Sequence, residues 1–348
     1  MKVYFSLIVL CWGISAARAE TNPPLIRLLI VDGQNNHDWQ ATTPYLRKIL
    51  EASGRFVVEV ATAPPSPSTP GGKERYALSP DQYAKDLQAF RPEFDRFDVI
   101  LLNYNGESWS EETHAALESA IANGKGLVVI HAANNAFFNR KQYDRMLGLA
   151  WRPKDYGVRL EINESGQVNR IPSGAGPDMG HGKRHAFQVT VRDAAHPITS
   201  GMPAKWMHEK DELYHGLRGP AEELTLLATA FSDPSQGGTG VHEPIAWTVK
   251  FEKGRVFHTT LGHDVSSMQC VGFITLLLRG SEWAATGQVT SAVPEDFPTE
   301  NAVRTRGGWW IMLDRVKSFW PFIFMILLVG FIGWRWRRQR KKTVPKLS

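Results

Sequence analysis

Residues Gly126 to Phe138 read GLVVIHAANNAFF. The apolar run Leu127 to Ile130 predicts a strand covered on both faces. It ends on His131, followed by alanines and the pair Asn134 and Asn135. In open parallel sheets, ligands bind just beyond the carboxyl ends of strands, so this is where polar, titratable side chains serve chemistry rather than packing. Working outward, IRLLIVDG (Ile26 to Gly33), FVVEVATA (Phe56 to Ala63) and FDVILLNYN (Phe97 to Asn105) repeat the buried-strand pattern. Helical stretches lie between them. Thr43-Pro44 opens one with an apolar stripe of Tyr45, Leu46, Ile49 and Leu50, Ser79 to Gln82 makes a capping-box start for a second, and Ser110 to Ala122 forms a third before Gly124. This alternation predicts an α/β domain with a doubly wound, mainly parallel sheet and right-handed crossovers.

The second half is less regular. VRLEINES (Val158 to Ser165) and HAFQVTVRD (His185 to Asp193) alternate like half-exposed strands, and LTLLATAF, EPIAWTVKF and GRVFHTTL supply further ones. A closing helix is expected in MQCVGFITLLLRGSEWAA. The core is therefore extended by added strands within one domain, 20–287.

Both ends are hydrophobic. Residues 1–19 carry Lys2, an apolar run and Ala17 and Ala19 in an A-x-A pattern, the signature of a cleaved signal peptide. Residues 318–334 are uncharged and span about 17 residues, the lower limit for a transmembrane helix. The basic tail 335–348 follows, and 288–317 reads as a linker. By the positive-inside rule this predicts a single-pass cell-membrane protein with a periplasmic or otherwise extracytoplasmic body and a cytoplasmic C-terminus. The tail holds seven Lys and Arg residues, more than the whole formal charge of +5. The body is then neutral to slightly acidic, which argues against a nucleic-acid partner. With Cys11 inside the signal segment, Cys270 is the only cysteine of the mature chain, so no intrachain disulfide can form.

Four post-strand segments concentrate the chemistry. The first loop holds His37, Asp38 and Trp39; the third strand ends at Asn103; the fourth ends at His131 with Asn134 and Asn135; the last carries His263 and Asp264. DELY adds Glu212 and Tyr214, and GHGKRH adds His181 as a rim residue. His131, Glu212, His263, Asp264 and His37 are the candidate catalytic groups. Asp38, Trp39, Asn103, Asn134, Asn135, Tyr214 and His181 are the candidate substrate contacts. Imidazoles with carboxylates suit either general acid/base catalysis or a divalent metal such as zinc, with His37, His131 and His263 as candidate ligands. Of the remaining histidines, His114 is expected on a polar helix face, His208 and His215 at solvated loop positions, and His258 either in the site or in the sheet.

NNHDW, GLVVIHAANNAFF, GPDMGHGKRHAFQVTVRDAAHPITSGMP, DELYHGLRG and VFHTTLGHD, in this order, resemble the ThuA-like family associated with trehalose utilisation. The resemblance runs from about Ile26 to Gly287. It implies a flavodoxin-like, class I glutamine amidotransferase-like fold, in which the sharp turn after the fourth strand normally presents a catalytic cysteine. Here that position carries His131, which rules out a cysteine-dependent glutaminase. The family also implies action on a sugar, disaccharide or keto-glycoside, as a hydrolase or lyase. The alternative is a non-catalytic, membrane-tethered carbohydrate-binding or assembly module, with an oxidoreductase or hydrolase as its partner.

Overall fold

The computed structural model describes residues 24–307. The first half runs β1 (Ile26–Asp32), α1 (Trp39–Ala52), β2 (Phe56–Thr62), α2 (Pro70–Tyr76), α3 (Pro80–Ala89), β3 (Val99–Leu102), α4 (Glu111–Ala122), β4 (Gly126–Ile130) and α5 (Lys141–Leu147). The second runs β5 (Arg159–Ile162), β6 (Val168–Ile171), β7 (Gly180–His181), β8 (His185–Val191), β9 (Lys205–Asp211), β10 (Tyr214–His215), β11 (Leu224–Phe231), β12 (His242–Phe251), β13 (Gly254–Thr259), α6 (Val265–Met268) and α7 (Val271–Thr286).

Strands β2, β1, β3, β4 and β13 lie side by side and parallel. This is the flavodoxin-like order, with β13 as the fifth parallel strand. Every residue of β3 and β4 is buried, because helices cover both faces. On one side α1 and α7 pack Leu46, Ile49, Phe273 and Leu277 against the sheet. On the other, α3, α4 and α5 contribute Leu87, Leu117, Ile121 and Met146.

Beyond β13 the sheet continues as β12, β11, β8 and β9, each antiparallel to its neighbour, with β5 and β6 added off β12. The expected mainly parallel sheet is therefore corrected to a mixed one. Short connections such as Glu252–Lys253 between β12 and β13 can join only antiparallel strands. The helix expected from Thr43 starts earlier, at Trp39, because Asp38 accepts a hydrogen bond from the Ala41 N–H and supplies the cap. Ser79 precedes α3 as expected, but its side chain makes no capping hydrogen bond.

The expectation of a C-terminal transmembrane helix is corrected as well. Among the described residues no helix is long and apolar enough to cross a membrane. Segment 318–334 lies outside the described residues, as do the signal segment 1–19 and the tail 335–348. The membrane-anchored, extracytoplasmic placement expected from those segments finds no spanning helix among the described residues. Residues 288–307, the start of the segment whose composition suggests a linker, pack on the body. Phe297 is buried against Trp206, and the Val271 N–H donates to the Arg304 carbonyl.

Candidate metal centre

Three of the central side chains follow parallel strands at their carboxyl ends: His37 after β1, His131 after β4 and His263 after β13. Glu212 arrives from the antiparallel extension, one residue beyond β9. One ligand atom from each of these four residues lies within 4.8 Å of every other. The imidazole centroids of His37 are 4.9 Å from those of His131 and 4.3 Å from those of His263. A single carboxylate oxygen of Glu212 stands 3.4 Å from His131 Nε2 and 3.4 Å from His263 Nδ1.

His131 sits on a backbone φ of 45°, in the left-handed region that a β-carbon disfavours. The sharp turn after the fourth strand is thus present, with an imidazole at its tip. The His131 Nδ1–H donates to the Thr260 carbonyl at 2.6 Å, which leaves Nε2 with its lone pair facing the cluster. Tyr214 Oη is 2.9 Å from that Nε2.

The electrostatics follow from this crowding. Burial lowers the pKa of His37 to about 4, and the neighbouring imidazoles of His131 and His263 act in the same direction. His37 is then neutral at pH 7, as a metal ligand must be. Burial by itself would raise the Glu212 carboxyl, but hydrogen bonding and attraction from His131 and His263 outweigh it and hold the group well below the usual carboxylate range.

The donor set of imidazoles and one carboxylate fits a divalent transition metal such as zinc. Two atoms bonded to one ion at about 2.0–2.1 Å can be at most about 4.2 Å apart, so the most widely separated of these ligand atoms would have to draw together to share one. Among the described residues no other group of His, Cys, Asp and Glu meets this spacing.

The remaining candidates divide by what they touch. His181 lies at the rim, with Nε2 3.8 Å from a Glu212 oxygen. Asp264 is not in the cluster: it caps α6 by accepting the Ser267 N–H, and it pairs with Arg184. Asp38 is engaged as the α1 cap, and Trp39 is half-buried in the first turn of that helix. Asn103 is buried and donates to the hydroxyls of Thr42 and Thr43, a packing role. Asn134 is buried with its amide nitrogen 3.3 Å from His258 Nε2, and Asn135 is exposed.

Two expectations about histidines are corrected. His114 is buried rather than on a polar face, 3.0 Å from the Ser108 hydroxyl and stacked on Trp109. His208 is fully buried within β9 and His215 half-buried within β10, rather than solvated in loops. His258 points into the structure, 4.0 Å from Trp247 between ring centroids. Sequence reasoning missed Trp151, a half-buried indole 4.6 Å from Tyr214 and 6.2 Å from His181, and it missed Asp211 beneath Glu212. Only the adjacency of Asp211 to Glu212 could have signalled the second.

The sequence profile of the ThuA family, described as trehalose utilisation, matches residues 27–284. The chain belongs to the ThuA family. Its ThuA-like fold is shared with a solved ThuA-like protein from Parabacteroides merdae, at 39% identity and a TM-score of 0.73 over 81% of this chain and 98% of that one. A second ThuA-like structure, from Bacteroides uniformis, is 19% identical with a TM-score of 0.46, covering 80% of this chain and 98% of the other. No curated protein matches. Membership places this ThuA chain in a trehalose-utilisation family.

Proposed function

We propose that His37, His131, Glu212 and His263 bind one divalent metal ion, with zinc a good match, and that the protein uses this centre to cleave or rearrange a disaccharide or keto-glycoside. The carrying observation is the convergence of four ligand atoms within 4.8 Å from loops distant in the chain. A bound divalent metal supplies Lewis-acid polarisation of a sugar oxygen or of a water. The chain's own groups supply the rest. Thr260 fixes the tautomer of His131 through its carbonyl, and Tyr214 places a phenolic hydroxyl beside the same imidazole. Trp151 and His181 extend an aromatic wall from Tyr214, the kind of surface on which an apolar sugar face stacks.

A second reading, acid/base catalysis without a metal, draws on the 2.9 Å contact between Tyr214 Oη and His131 Nε2, which could pass a proton. One experiment separates the readings. Purified protein, loaded with Zn2+ or stripped with a chelator, is incubated with trehalose, other disaccharides and their keto-oxidised forms, and products are followed by mass spectrometry. Turnover that needs the ion and disappears in His131→Ala supports the metal reading. Full turnover in stripped protein supports acid/base chemistry instead. Sugar binding without any product would leave a carbohydrate-binding or assembly module.

A further inference from the structure

Glu212 follows β9 and His263 follows β13, strands that do not pair with one another, yet the two side chains meet within 3.4 Å. The link between them is a carboxylate with no place in the cluster itself. Asp211 is fully buried, and each of its oxygens receives two donors. Oδ1 accepts the backbone N–H of Glu212 at 2.8 Å and of His263 at 3.2 Å. Oδ2 accepts the Gly262 N–H at 2.8 Å and His208 Nε2–H at 2.9 Å.

We infer that Asp211, held by His208, is a positioning residue that sets the spacing of Glu212 and His263; the inference rests on the metal reading above. A buried ion pair is weak evidence for stability, since apolar side chains of like volume often serve as well. What an apolar side chain cannot do is receive the N–H groups of both ligand-bearing loops at once. Asparagine cannot do it either: its NH2 would face two N–H donors where a carboxylate oxygen accepted them. Gly262 completes the device. Its φ of +103° turns its N–H and that of His263 toward the same carboxylate, and a β-carbon there would meet the Phe273 ring at 2.8 Å. His208 is locked from the other side, packed 5.2 Å from Phe187 between ring centroids and 6.0 Å from Trp206.

Removing this support should loosen two ligands without deleting either. Outer partners of metal ligands are worth roughly 10–100-fold in affinity, and that is the loss expected for Zn2+ binding to Asp211→Asn by competition titration. A second readout needs no metal. Amide hydrogen exchange at Gly262 and His263, protected in the wild type, should speed up by more than about tenfold in Asp211→Asn while β4 and α7 are unchanged. His208→Gln, which retains an N–H donor toward Asp211, should stay near wild type in both measurements, and His208→Leu should follow Asp211→Asn. If Asp211→Asn does not fold, the two His208 variants decide, and equal behaviour of Gln and Leu overturns the inference. Zn2+ affinity within twofold of wild type together with unchanged exchange at Gly262 and His263 overturns it too. Should the wild type bind no ion, the metal reading fails, while the exchange measurement still decides the role of Asp211.

Discussion

His131 Nε2 and Glu212 Oε2 lie 3.4 Å apart, and both side chains are almost wholly shielded from solvent. Solvent cannot screen a charge on this carboxylate, so His131 and His263 are its principal partners. Replacing the carboxylate by an isosteric amide removes the charge while keeping the shape. Glu212→Gln is expected to weaken divalent-metal binding by more than about tenfold, read by calorimetry. An unchanged affinity would mean that the carboxylate is not a ligand.

Tyr214→Phe deletes only the hydroxyl at His131 Nε2. In the metal-free protein, where Nε2 accepts from this hydroxyl, the loss of one buried hydrogen bond costs about 1 kcal/mol. The variant should therefore melt within a few degrees of wild type. Metal content should be retained, while turnover of the sugar found in the product screen should drop by more than about tenfold. Wild-type turnover would remove Tyr214 from the chemistry.

Trp151→Ala separates recognition from metal binding. The indole packs on Tyr214 and lies near His181 without entering the four-residue cluster. Sugar affinity should fall at least about fivefold by calorimetry, equivalent to about 1 kcal/mol, with metal stoichiometry unaltered. A variant that binds sugar normally would place the substrate elsewhere.

Two buried imidazoles outside the cluster make stability depend on pH. Burial lowers His114 to about 4 and His258 to about 3, below the ordinary value of 6.5. Between about pH 6.5 and 4 the unfolded chain binds protons that the folded chain refuses, so stability is lost as the pH falls through that window. The melting temperature should decline across it, and His114→Gln should flatten the decline. A melting temperature independent of pH in this range would contradict the burial of these neutral imidazoles.

Phe297 tests whether segment 288–307 belongs to the folded body. It is buried and packs edge-on against Trp206, with ring centroids 5.5 Å apart. Phe297→Ala should destabilise by roughly 3–5 kcal/mol in urea unfolding. A change under about 0.5 kcal/mol, the range of an ordinary surface substitution, would return the segment to the status of a loose tether.

The parallel half of the fold was legible because its strands are unbroken apolar runs, and β3 and β4 are buried throughout. The meeting of His37, His131 and His263 was legible for a related reason: in this topology the residues just beyond parallel strands gather along one edge of the sheet. Glu212 came from the DELY motif. Asp38 and Asp264 looked like site residues because a helix cap and a catalytic carboxylate draw on the same amino acids. β9 was harder to read, since Lys205, Glu209 and Lys210 interrupt its apolar positions while Trp206 and His208 are buried. Nothing local marks Asp211 as an acceptor for residues of another loop, because that relationship exists only once the chain has folded.

Elemental analysis of protein purified without added chelator, paired with Zn2+ titration of the stripped protein, shows whether the four-residue cluster holds an ion. One divalent ion per chain is expected in the wild type, and its loss in the double variant His131→Ala/His263→Ala with the fold retained by circular dichroism. A wild-type protein that neither carries nor takes up a stoichiometric ion, or a double variant that binds it as tightly as wild type, would mean that these histidines hold no metal.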